Sequence, residues 1–407
     1  MARHRAALAL CALLIFVLAG CATPPRAPDK LTLTPMTFAD LPGWSDDRVA
    51  QAIPALLRSC AVIAKRPADS AISASIPEAG RAKDWQNLCA EAARLSANDE
   101  TAARAFFMQR FRPYRAANNS EPKGLFTGYY EIELNGSRTK SARFPVPIYG
   151  LPKDLVTADL SEFDSSLSGK TIIGRVVGGK FHPYPDRAAI EAEGLGANAP
   201  VIAWVDDAVD AFFLHIQGSG VIKMANGDSM RVGYAAKNGQ PYRAVGRVLV
   251  DRGALAKDDV SMQSIRAWLA ANPRDAQAVM AANPSYVFFR ELPKPQGGVV
   301  RDGPDGAQGV TLTAGRSLAV DRRFVPLGIP IWVASQNPDA PPGTPDTRTQ
   351  RLVVAQDTGG AITGPVRGDV YWGTGHDAAE RAGRMREFGN YYFLLPRLDA
   401  SLAEAGR

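Results

Sequence analysis

The sequence is poor in the residues from which metal and redox sites are built, with four cysteines and four histidines among 407 residues. The histidines show no spacing typical of zinc ligands; they are His4, His182, His215 and His376. A run of lysines and arginines is also lacking, so the formal net charge of +6 is spread along the chain. We therefore expect no metal, no other cofactor and no nucleic-acid partner. A mildly basic surface suits an anionic polymer, and it is equally typical of an ordinary solvated surface.

Long apolar runs are lacking as well, except for one near the N-terminus. Arg3 and Arg5 precede this run, and the letters LAG stand directly before Cys21. The pattern predicts a signal peptide over residues 1–20 and resembles a bacterial lipobox, in which Cys21 becomes the lipidated N-terminus. Ala22 rather than Asp follows, which is typical of lipoproteins sent to the outer membrane. We expect a lipid-anchored protein on the periplasmic face of a Gram-negative outer membrane; a plain secretory signal is the alternative.

Cysteine usage in the mature chain predicts one disulfide. Once Cys11 leaves with the signal peptide and Cys21 carries lipid, Cys60 and Cys89 remain as a pair in an oxidising compartment. A bond between them would stabilise the fold by about 3 to 4 kcal/mol in the chain-entropy description. The alternative is two buried thiols on neighbouring helices.

The apolar patterns predict a mainly β protein with helices, of the α+β class. Helical periodicity covers the first part of the mature chain, with a predicted N-cap at residues 45–47, and it returns at residues 244–282. Short runs typical of strands fill residues 132–240, and residues 212–216 are among them.

The domain organisation follows from where these patterns change. Residues 21–40 are rich in proline and threonine and are predicted to form a tether. One domain then covers residues 41–130 and 285–407, with a helical layer, and it is interrupted by a β-barrel-like domain over residues 131–284. A groove between two such domains is the expected ligand site.

Two glycine-flanked segments suit a sugar-binding groove. FTGYYE contains Thr127 and Tyr129, and IQGSG contains Gln217 and Ser219. Hydroxyl and amide groups could bind sugar hydroxyls, while a tyrosine ring could stack on a sugar face. A buried strand with packed tyrosines is the alternative for the first segment. His215, among apolar neighbours, is predicted to be structural.

The stretch LVVAQDTGGAITGPVRGDVYWGTG, residues 352–375, holds the strongest catalytic pattern. An apolar run of strand length leads to Asp357 and a glycine pair, and Asp369 follows twelve positions later, before a second apolar run. Two strands that each carry a carboxylate, joined by a glycine-rich turn, would build a site on rigid elements with an open mouth.

A third aspartate, Asp321 in SLAVDRRFVPLG, completes a set of motifs that runs from about residue 124 to residue 395. Together these motifs resemble the membrane-bound lytic murein transglycosylase A family, whose C-terminal 3D domain is a double-psi β-barrel. The resemblance implies a peptidoglycan lytic exotransglycosylase, which cleaves the β-1,4 bond between N-acetylmuramic acid and N-acetylglucosamine without water and leaves a 1,6-anhydro end. Glycan strands would be the substrate, and a cell-wall synthesis or division complex is a candidate partner. The residues themselves leave exo and endo cleavage open.

The resemblance places Asp369 in the catalytic position, first as an acid towards the leaving oxygen and then as a base towards the C6 hydroxyl. That hydroxyl would replace the second carboxylate of an ordinary glycosidase. Because the usual pKa of Asp is near 3.9, Asp369 needs a raised pKa, caused by apolar neighbours or by Asp357. Asp357 is predicted to order the site. Asp321 is assigned to substrate binding, with an ion-paired structural acid as the alternative, and Arg316 and Arg367 are predicted to be solvated.

Two other interpretations stay open. The triplet Asp357-Thr358-Gly359 is the signature of aspartic proteases, which need two such aspartates, so a protease would have to be a homodimer. A noncatalytic peptidoglycan-binding lipoprotein would use the groove to hold glycan. Binding alone, however, has no need for a protonated acid.

Overall fold

The computed structural model describes residues 28–293, 303–336 and 348–398. Strands dominate these residues, so the predicted α+β class with mostly β structure is confirmed. In chain order the strands are β1 (Leu31–Pro35), β2 (Phe111–Asn118), β3 (Gly124–Ser137), β4 (Val146–Tyr149), β5 (Val156–Asp159), β6 (Thr171–Val177), β7 (Lys180–Pro183), β8 (Val201–Val205), β9 (Ser219–Met224), β10 (Ser229–Lys237), β11 (Val287–Glu291), β12 (Ser317–Val320), β13 (Pro330–Gln336), β14 (Arg348–Asp357), β15 (Arg367–Thr374) and β16 (Arg386–Pro396).

The α-helices lie in three groups, before β2, within the middle of the chain and between β15 and β16. They are α1 (Ile53–Ile63), α2 (Ala82–Ala92), α3 (Glu100–Arg110), α4 (Arg187–Glu193), α5 (Ala208–Gln217), α6 (Val245–Asp251), α7 (Met262–Ala271), α8 (Pro273–Ala281) and α9 (His376–Arg384). Within the described part of the chain, no helix has the length and apolar character needed to cross a membrane.

Six strands close a ring of hydrogen-bonded pairs, in the order β3, β15, β12, β14, β13 and β16, and β16 pairs again with β3. The apolar runs of β14 and β16 lie in this ring with both faces covered, which is why they show no alternation of polar residues. Trp332, Val353 and Phe393 are fully buried in its core. The ring is therefore a rigid base on which side chains at strand ends can be held.

β3 is the longest strand and connects the ring to a second group of strands. Its first half pairs with β15 up to Glu131, and its second half pairs with β9 from Ile132 onward. β10 and β11 follow β9, and β8 and β4 lie on the other side of β3. A bridge between Gly150 and Phe289 brings the end of β4 to β11, so this second group also curls back on itself.

The domain boundaries predicted from the sequence do not coincide with the division into the ring and the second group of strands. β11, which the sequence pattern placed in the first domain, pairs with β10 of the second group. β3 runs without a break through the boundary predicted at residue 130. The division into two domains stays our proposal.

The N-terminal helices cover the ring and support the end of β14. Gln356 is fully buried, and its side-chain amide donates to the Ala55 carbonyl at 2.8 Å and to the Ser59 hydroxyl at 2.9 Å, both on α1. Cys60 of α1 and Cys89 of α2 form a disulfide, with 5.6 Å between their Cα atoms. The helical layer thus fixes the strand that carries Asp357.

Three local predictions were wrong. Residues 31–35 belong to the predicted tether, yet they form β1, which pairs with β2 in full register because its alternating Leu and Thr suit an edge strand. Residues 45–47 form a turn rather than an N-cap, and a 3-10 helix over Val49–Ala52 leads into α1.

The predicted strand at residues 212–216 is the third error, since these residues lie within α5. The Asp207 side chain caps α5 by accepting from the Asp210 amide at 2.8 Å, and Gly218 ends it with a left-handed φ of 78°. Because α5 is buried on several sides, its apolar run shows no clear helical period and cannot be told from a strand by pattern.

Candidate active site

Four residues from four neighbouring strands stand opposite one another and form what we call the carboxylate row: Thr127, Asp369, Ala319 and Asp357. Asp369 pairs with Thr127 on one side and with Ala319 on the other, and Ala319 pairs with Asp357 after a register shift that leaves Gln356 of β14 unpaired in this ladder. Residues opposite one another present their side chains on the same face of a sheet. Two interstrand steps separate the two aspartates, about 10 Å between Cα atoms at ordinary spacing, and the small side chain of Ala319 leaves space between them.

Asp369 is half-buried and hydrogen-bonded through one oxygen. The Thr127 hydroxyl donates to its Oδ1 at 2.6 Å, and the Arg367 guanidinium donates to the same hydroxyl at 2.9 Å. No residue in the described ranges donates to Oδ2. Burial raises the pKa of Asp369 and the charge of Asp357 adds to this, while Arg367 and the Thr127 hydroxyl oppose it. The raised pKa favours the protonated acid, and Oδ2 is the oxygen that can carry the proton.

Asp357 is held much more completely. Its Oδ2 accepts from the Tyr129 hydroxyl at 2.7 Å and its Oδ1 from the Ala307 amide at 2.9 Å. Burial raises the pKa of Asp357, and these hydrogen bonds counteract the rise. Tyr129 is itself buried against Tyr371, with ring centroids 5.4 Å apart, and its pKa lies well above the usual value because of burial and of Asp357. Tyr129 therefore stays a donor and fixes Asp357.

Asp321 lies at the end of β12 and is bound on both oxygens. The Arg323 guanidinium reaches its Oδ2 at 2.6 Å, the Gly364 amide donates to the same oxygen at 2.8 Å, and the Arg323 amide donates to Oδ1 at 3.1 Å. Burial raises the pKa of Asp321, but these bonds outweigh it and the net shift is downward. The arrangement is that of an ionised acid which anchors the loop before β15.

The two predicted groove residues of the second segment have different surroundings. Gln217 is the last residue of α5, and its Oε1 accepts from the Tyr130 amide at 3.1 Å. Ser219 begins β9 and is 6% exposed. Gln217 thus faces the groove, whereas Ser219 is largely buried.

A cleft of about 630 Å³ runs from Thr127 between the ring and the second group of strands. Its walls come from the start of β3, from α5, from the segment that contains α6 and the start of α7, and from the end of α9 with the start of β16. The lining residues are Leu125, Thr127, Gly128, Phe212, Phe213, Ile216, Gln217, Tyr242, Ala244, Val245, Gly246, Arg247, Val250, Lys257, Val260, Ser261, Met262, Ile265, Ala382, Gly383, Met385 and Arg386.

Two arginines that were predicted to be solvated, Arg316 and Arg367, are held by contacts within the protein. Arg316 is 4% exposed and its guanidinium binds the carboxylate of Asp47 at 2.6 Å, so it is a buried structural residue rather than a solvated one. Arg367 is only half-exposed and contacts Thr127 beside Asp369. Its position two residues before Asp369 on the same strand was the available signal, because alternate residues of a strand share a face.

His215 has the structural role that we predicted. It is 7% exposed, its Nδ1 accepts from the Val287 amide at 3.2 Å, and its ring packs on Tyr286 with centroids 4.1 Å apart. Burial holds the pKa of His215 well below the usual value. The imidazole is therefore neutral and belongs to the core under β11.

The described structure defines a class of proteins with two parts. One part is the ring of strands that carries the carboxylate row, the other is the second group of strands, and the cleft lies between them. Family models match both parts: residues 125–290 match the MltA specific insert domain, and residues 316–395 match the 3D domain.

Similarity to known proteins identifies the family. The chain is 33% identical over 271 residues to membrane-bound lytic murein transglycosylase A of Escherichia coli K12, which covers 66% of this chain and 65% of that protein. The chain thus matches slightly less than two thirds of the length of this curated relative. A solved membrane-bound lytic murein transglycosylase from Agrobacterium tumefaciens is 34% identical with a TM-score of 0.76, and the match covers 92% of this chain and 100% of that one. Neisseria gonorrhoeae MltA is 32% identical with a TM-score of 0.70, over 91% and 94% of the two chains. The chain belongs to the membrane-bound lytic murein transglycosylase A family.

Proposed function

We propose that the protein is a lytic transglycosylase that cleaves the β-1,4 bond between N-acetylmuramic acid and N-acetylglucosamine in peptidoglycan, and that Asp369 is its acid and base. Family membership supports the reaction class. One observation supports the choice of residue: among the three aspartates of the motifs, Asp357 and Asp321 accept hydrogen bonds on both oxygens, whereas Asp369 has one oxygen without a donor in the described ranges.

The reaction needs one carboxyl group in two successive roles. Asp369 gives its proton to the glycosidic oxygen as the bond from that oxygen to C1 of muramic acid breaks, and the N-acetylglucosamine leaves with a new hydroxyl. The C6 hydroxyl oxygen of the same muramic acid then bonds to C1, and its proton passes to the carboxylate of Asp369. The acid is restored and no water is consumed. Because the nucleophile is intramolecular, its effective concentration replaces the second carboxylate of a hydrolytic glycosidase.

The neighbours of Asp369 serve these two roles. The Thr127 hydroxyl stabilises the carboxylate that forms when the proton leaves, and Arg367 orients that hydroxyl. Asp357 holds the loop at Ala307 and the ring of Tyr129, so we assign it a positioning role. Asp321 has a positioning role as well, because its carboxylate is occupied by Arg323 and Gly364. Thr127 and Gln217 are the proposed glycan contacts, and the buried Tyr129 and Ser219 have little surface for one.

We further propose that a lipid on Cys21 holds the enzyme to the outer membrane, where it would act in cell-wall remodelling and turnover. Cys21 lies outside the described residues, and the proposal rests on the lipobox pattern. The names of the relatives agree with membrane association. Labelling of cells with a radioactive fatty acid, followed by separation of the two membranes, tests the anchor, and a Cys21→Ala variant should lose both the label and the outer-membrane location.

The site argues against the aspartic protease. In those enzymes two aspartates share one proton across a dyad. Here the aspartate of the Asp-Thr-Gly triplet binds Tyr129 and Ala307 instead, and its nearest partner aspartate belongs to the same chain.

Digestion of purified peptidoglycan by the chain from residue 22, followed by mass spectrometry of the products, tests the reaction. Ends lighter by one water than reducing ends should form with the wild type and be absent with Asp369→Asn. Reducing ends would contradict the proposal and indicate a hydrolase. Binding without cleavage would support the noncatalytic glycan-binding protein. The size of the first soluble fragments separates exo from endo cleavage.

A further inference from the structure

The charges along the cleft are of one sign. Its lining includes Arg247, Lys257 and Arg386, and within the part of the chain that the structure describes it includes no aspartate or glutamate. The remaining lining is largely apolar, with Phe212 and Phe213 on one wall. A cleft with apolar walls and only cationic charge is suited to an anionic ligand that also carries apolar groups.

Of the three cations in the described lining, one forms an ion pair with an acid. The Arg247 guanidinium forms an ion pair with Asp251 at 2.8 Å. Lys257 is exposed, and no carboxylate of the described residues lies within ion-pair distance of it. Arg386 is exposed, and no carboxylate of the described residues lies within ion-pair distance of it. Arg386 and Lys257 are therefore the cations available to a ligand, and Arg386 is the one that lies on β16 opposite Thr127.

Arg386 also extends the carboxylate row. It stands opposite Thr127 in the pairing of β16 with β3, and Asp369 is opposite Thr127 on the other side. Two interstrand steps place its Cα about 10 Å from that of Asp369. A long arginine side chain at this position reaches towards a substituent of the sugar whose bond is cleaved or of its neighbour.

The backbone that carries Arg386 is fixed on both sides. The next residue, Glu387, is 6% exposed and accepts from the Ser335 hydroxyl at 2.8 Å and the Thr349 hydroxyl at 3.1 Å. The preceding residue, Met385, is buried, and its sulfur accepts from the Trp372 indole at 3.4 Å. The backbone of Arg386 is thus fixed, while its guanidinium has no acidic partner in the part of the chain that the structure describes.

The chemistry of a peptidoglycan strand limits what this guanidinium can bind. Its N-acetylglucosamine units are neutral, and its negative charge lies on the lactyl group of muramic acid or, once a peptide is attached there, on the carboxylates of that peptide. The planar guanidinium of arginine binds a carboxylate through two parallel hydrogen bonds. We infer that the cleft is a subsite for the carboxylate-bearing substituent of muramic acid and that Arg386 binds that carboxylate.

The inference rests on the proposed function and adds to it a means of distinguishing the two sugars of the strand. A neutral sugar in the same place would leave Arg386 without a partner. A strand shifted by one sugar would therefore lose this contact, so Arg386 favours the register in which muramic acid donates C1 to the reaction at Asp369.

Binding measurements on the Asp369→Asn variant test the inference without turnover. Three ligands are compared by calorimetry: a neutral β-1,4 hexamer of N-acetylglucosamine, glycan fragments stripped of peptide, and fragments that keep their peptides. Adding Arg386→Gln should weaken the binding of a carboxylate-bearing ligand by about three- to tenfold and leave the neutral hexamer unchanged. A loss with the stripped fragments alone assigns the carboxylate to the lactyl group, whose acid is consumed in an amide bond once a peptide is attached; a loss with the peptide-bearing fragments alone assigns it to the peptide. A loss with both shows that Arg386 binds whichever of these carboxylates the substituent carries.

Two controls separate charge recognition from disturbance of the fold. Arg322→Gln removes an exposed arginine outside the cleft and should change none of the three affinities. The loss caused by Arg386→Gln should shrink in about 0.5 M salt, because exposed charges are then screened. Equal losses for the neutral and charged ligands, or no loss at all, would overturn the inference. Such a result would leave the proposed reaction intact, because anhydro products in the digestion test are observed separately.

Discussion

The carboxylate row and the cleft use charge in opposite ways, although they meet at Thr127. In the row, both carboxylate oxygens of Asp357 accept hydrogen bonds. Asp369 accepts through one oxygen from the Thr127 hydroxyl, which in turn accepts from Arg367. In the cleft, Arg386 is exposed and without an acidic partner in the described ranges. Chemistry on a glycosidic bond needs groups fixed before the substrate arrives, because their reorganisation would add to the barrier. Recognition of a substituent on a long strand needs a rigid backbone but allows a free side chain.

Loss of the Asp369 carboxyl should have the largest effect and would test the difference between the two aspartates most directly. Asp369→Asn removes the proton that the leaving oxygen requires, so we expect the rate of anhydro-product formation to fall by about 10³-fold or more. The melting temperature should change little, because Asn can still accept from Thr127. Retention of activity above a tenth of the wild-type rate would show that another group is the acid.

Asp357→Asn should have an intermediate effect and tests the positioning role. Asn can accept one hydrogen bond but turns an amide towards the second donor, so either Ala307 or Tyr129 loses its partner. We expect kcat to fall by about 10- to 100-fold with a smaller change in KM, since a small misplacement near the reacting atoms is costly. Tyr129→Phe is the matched variant, because it breaks one of the two bonds and keeps the carboxylate. Full activity of Asp357→Asn would contradict this role.

Arg367→Met should shift the pH dependence rather than abolish the reaction. The first step needs protonated Asp369, so the rate falls as pH rises through the pKa of Asp369. Arg367 favours the carboxylate and holds this pKa below the value that burial and Asp357 would otherwise give. Removing the positive charge raises the pKa, and the alkaline limb of kcat/KM against pH should move to higher pH. Tyr129 and Asp357, the other titratable neighbours, are unchanged in this variant.

Arg322→Met is the control for that shift, because it removes an exposed arginine from the turn after β12. Its pH profile should match the wild type. A uniform loss of activity at all pH values in Arg367→Met, without movement of the limb, would indicate that Arg367 acts only through the orientation of Thr127.

The disulfide belongs to neither the carboxylate row nor the cleft, so its removal should affect catalysis least. Cys60 and Cys89 are 29 positions apart, so their bond restricts the unfolded chain. The double variant with Ser at both positions should lose about 2 to 4 kcal/mol of unfolding free energy, measured in denaturant. Its rate at 25 °C should equal that of the wild type. A large loss of rate under folding conditions would mean that α1 and α2 shape the row through Gln356 more strongly than we expect.

Local sequence patterns predicted the secondary structure well where either a helical period or an apolar run of strand length was clear. The helices at residues 245–281 had clear periods and proline breaks, and β14 and β16 had apolar runs of strand length. β1 and α5 were mispredicted because an edge strand with threonines and a buried helix both weaken the periodic signal. In these two segments, pairing and packing with neighbouring elements decided the secondary structure more than the local composition did.

The sequence by itself determined which residues were candidates for the site and for a disulfide: the three aspartates, the glycine-rich turn between two of them and the cysteine pair. These features depend only on residue type and on short spacing. Only the tertiary structure decided which oxygen of Asp369 has no donor among the described residues, that Arg367 supports Thr127 and that Arg386 lies opposite Thr127. The hydrogen bond from Thr127 to Asp369 joins residues 242 positions apart, and the ring of strands brings them together. Pattern along a chain reports which face a residue occupies, whereas its neighbour across a strand is set by register, and register depends on the packing of the whole ring.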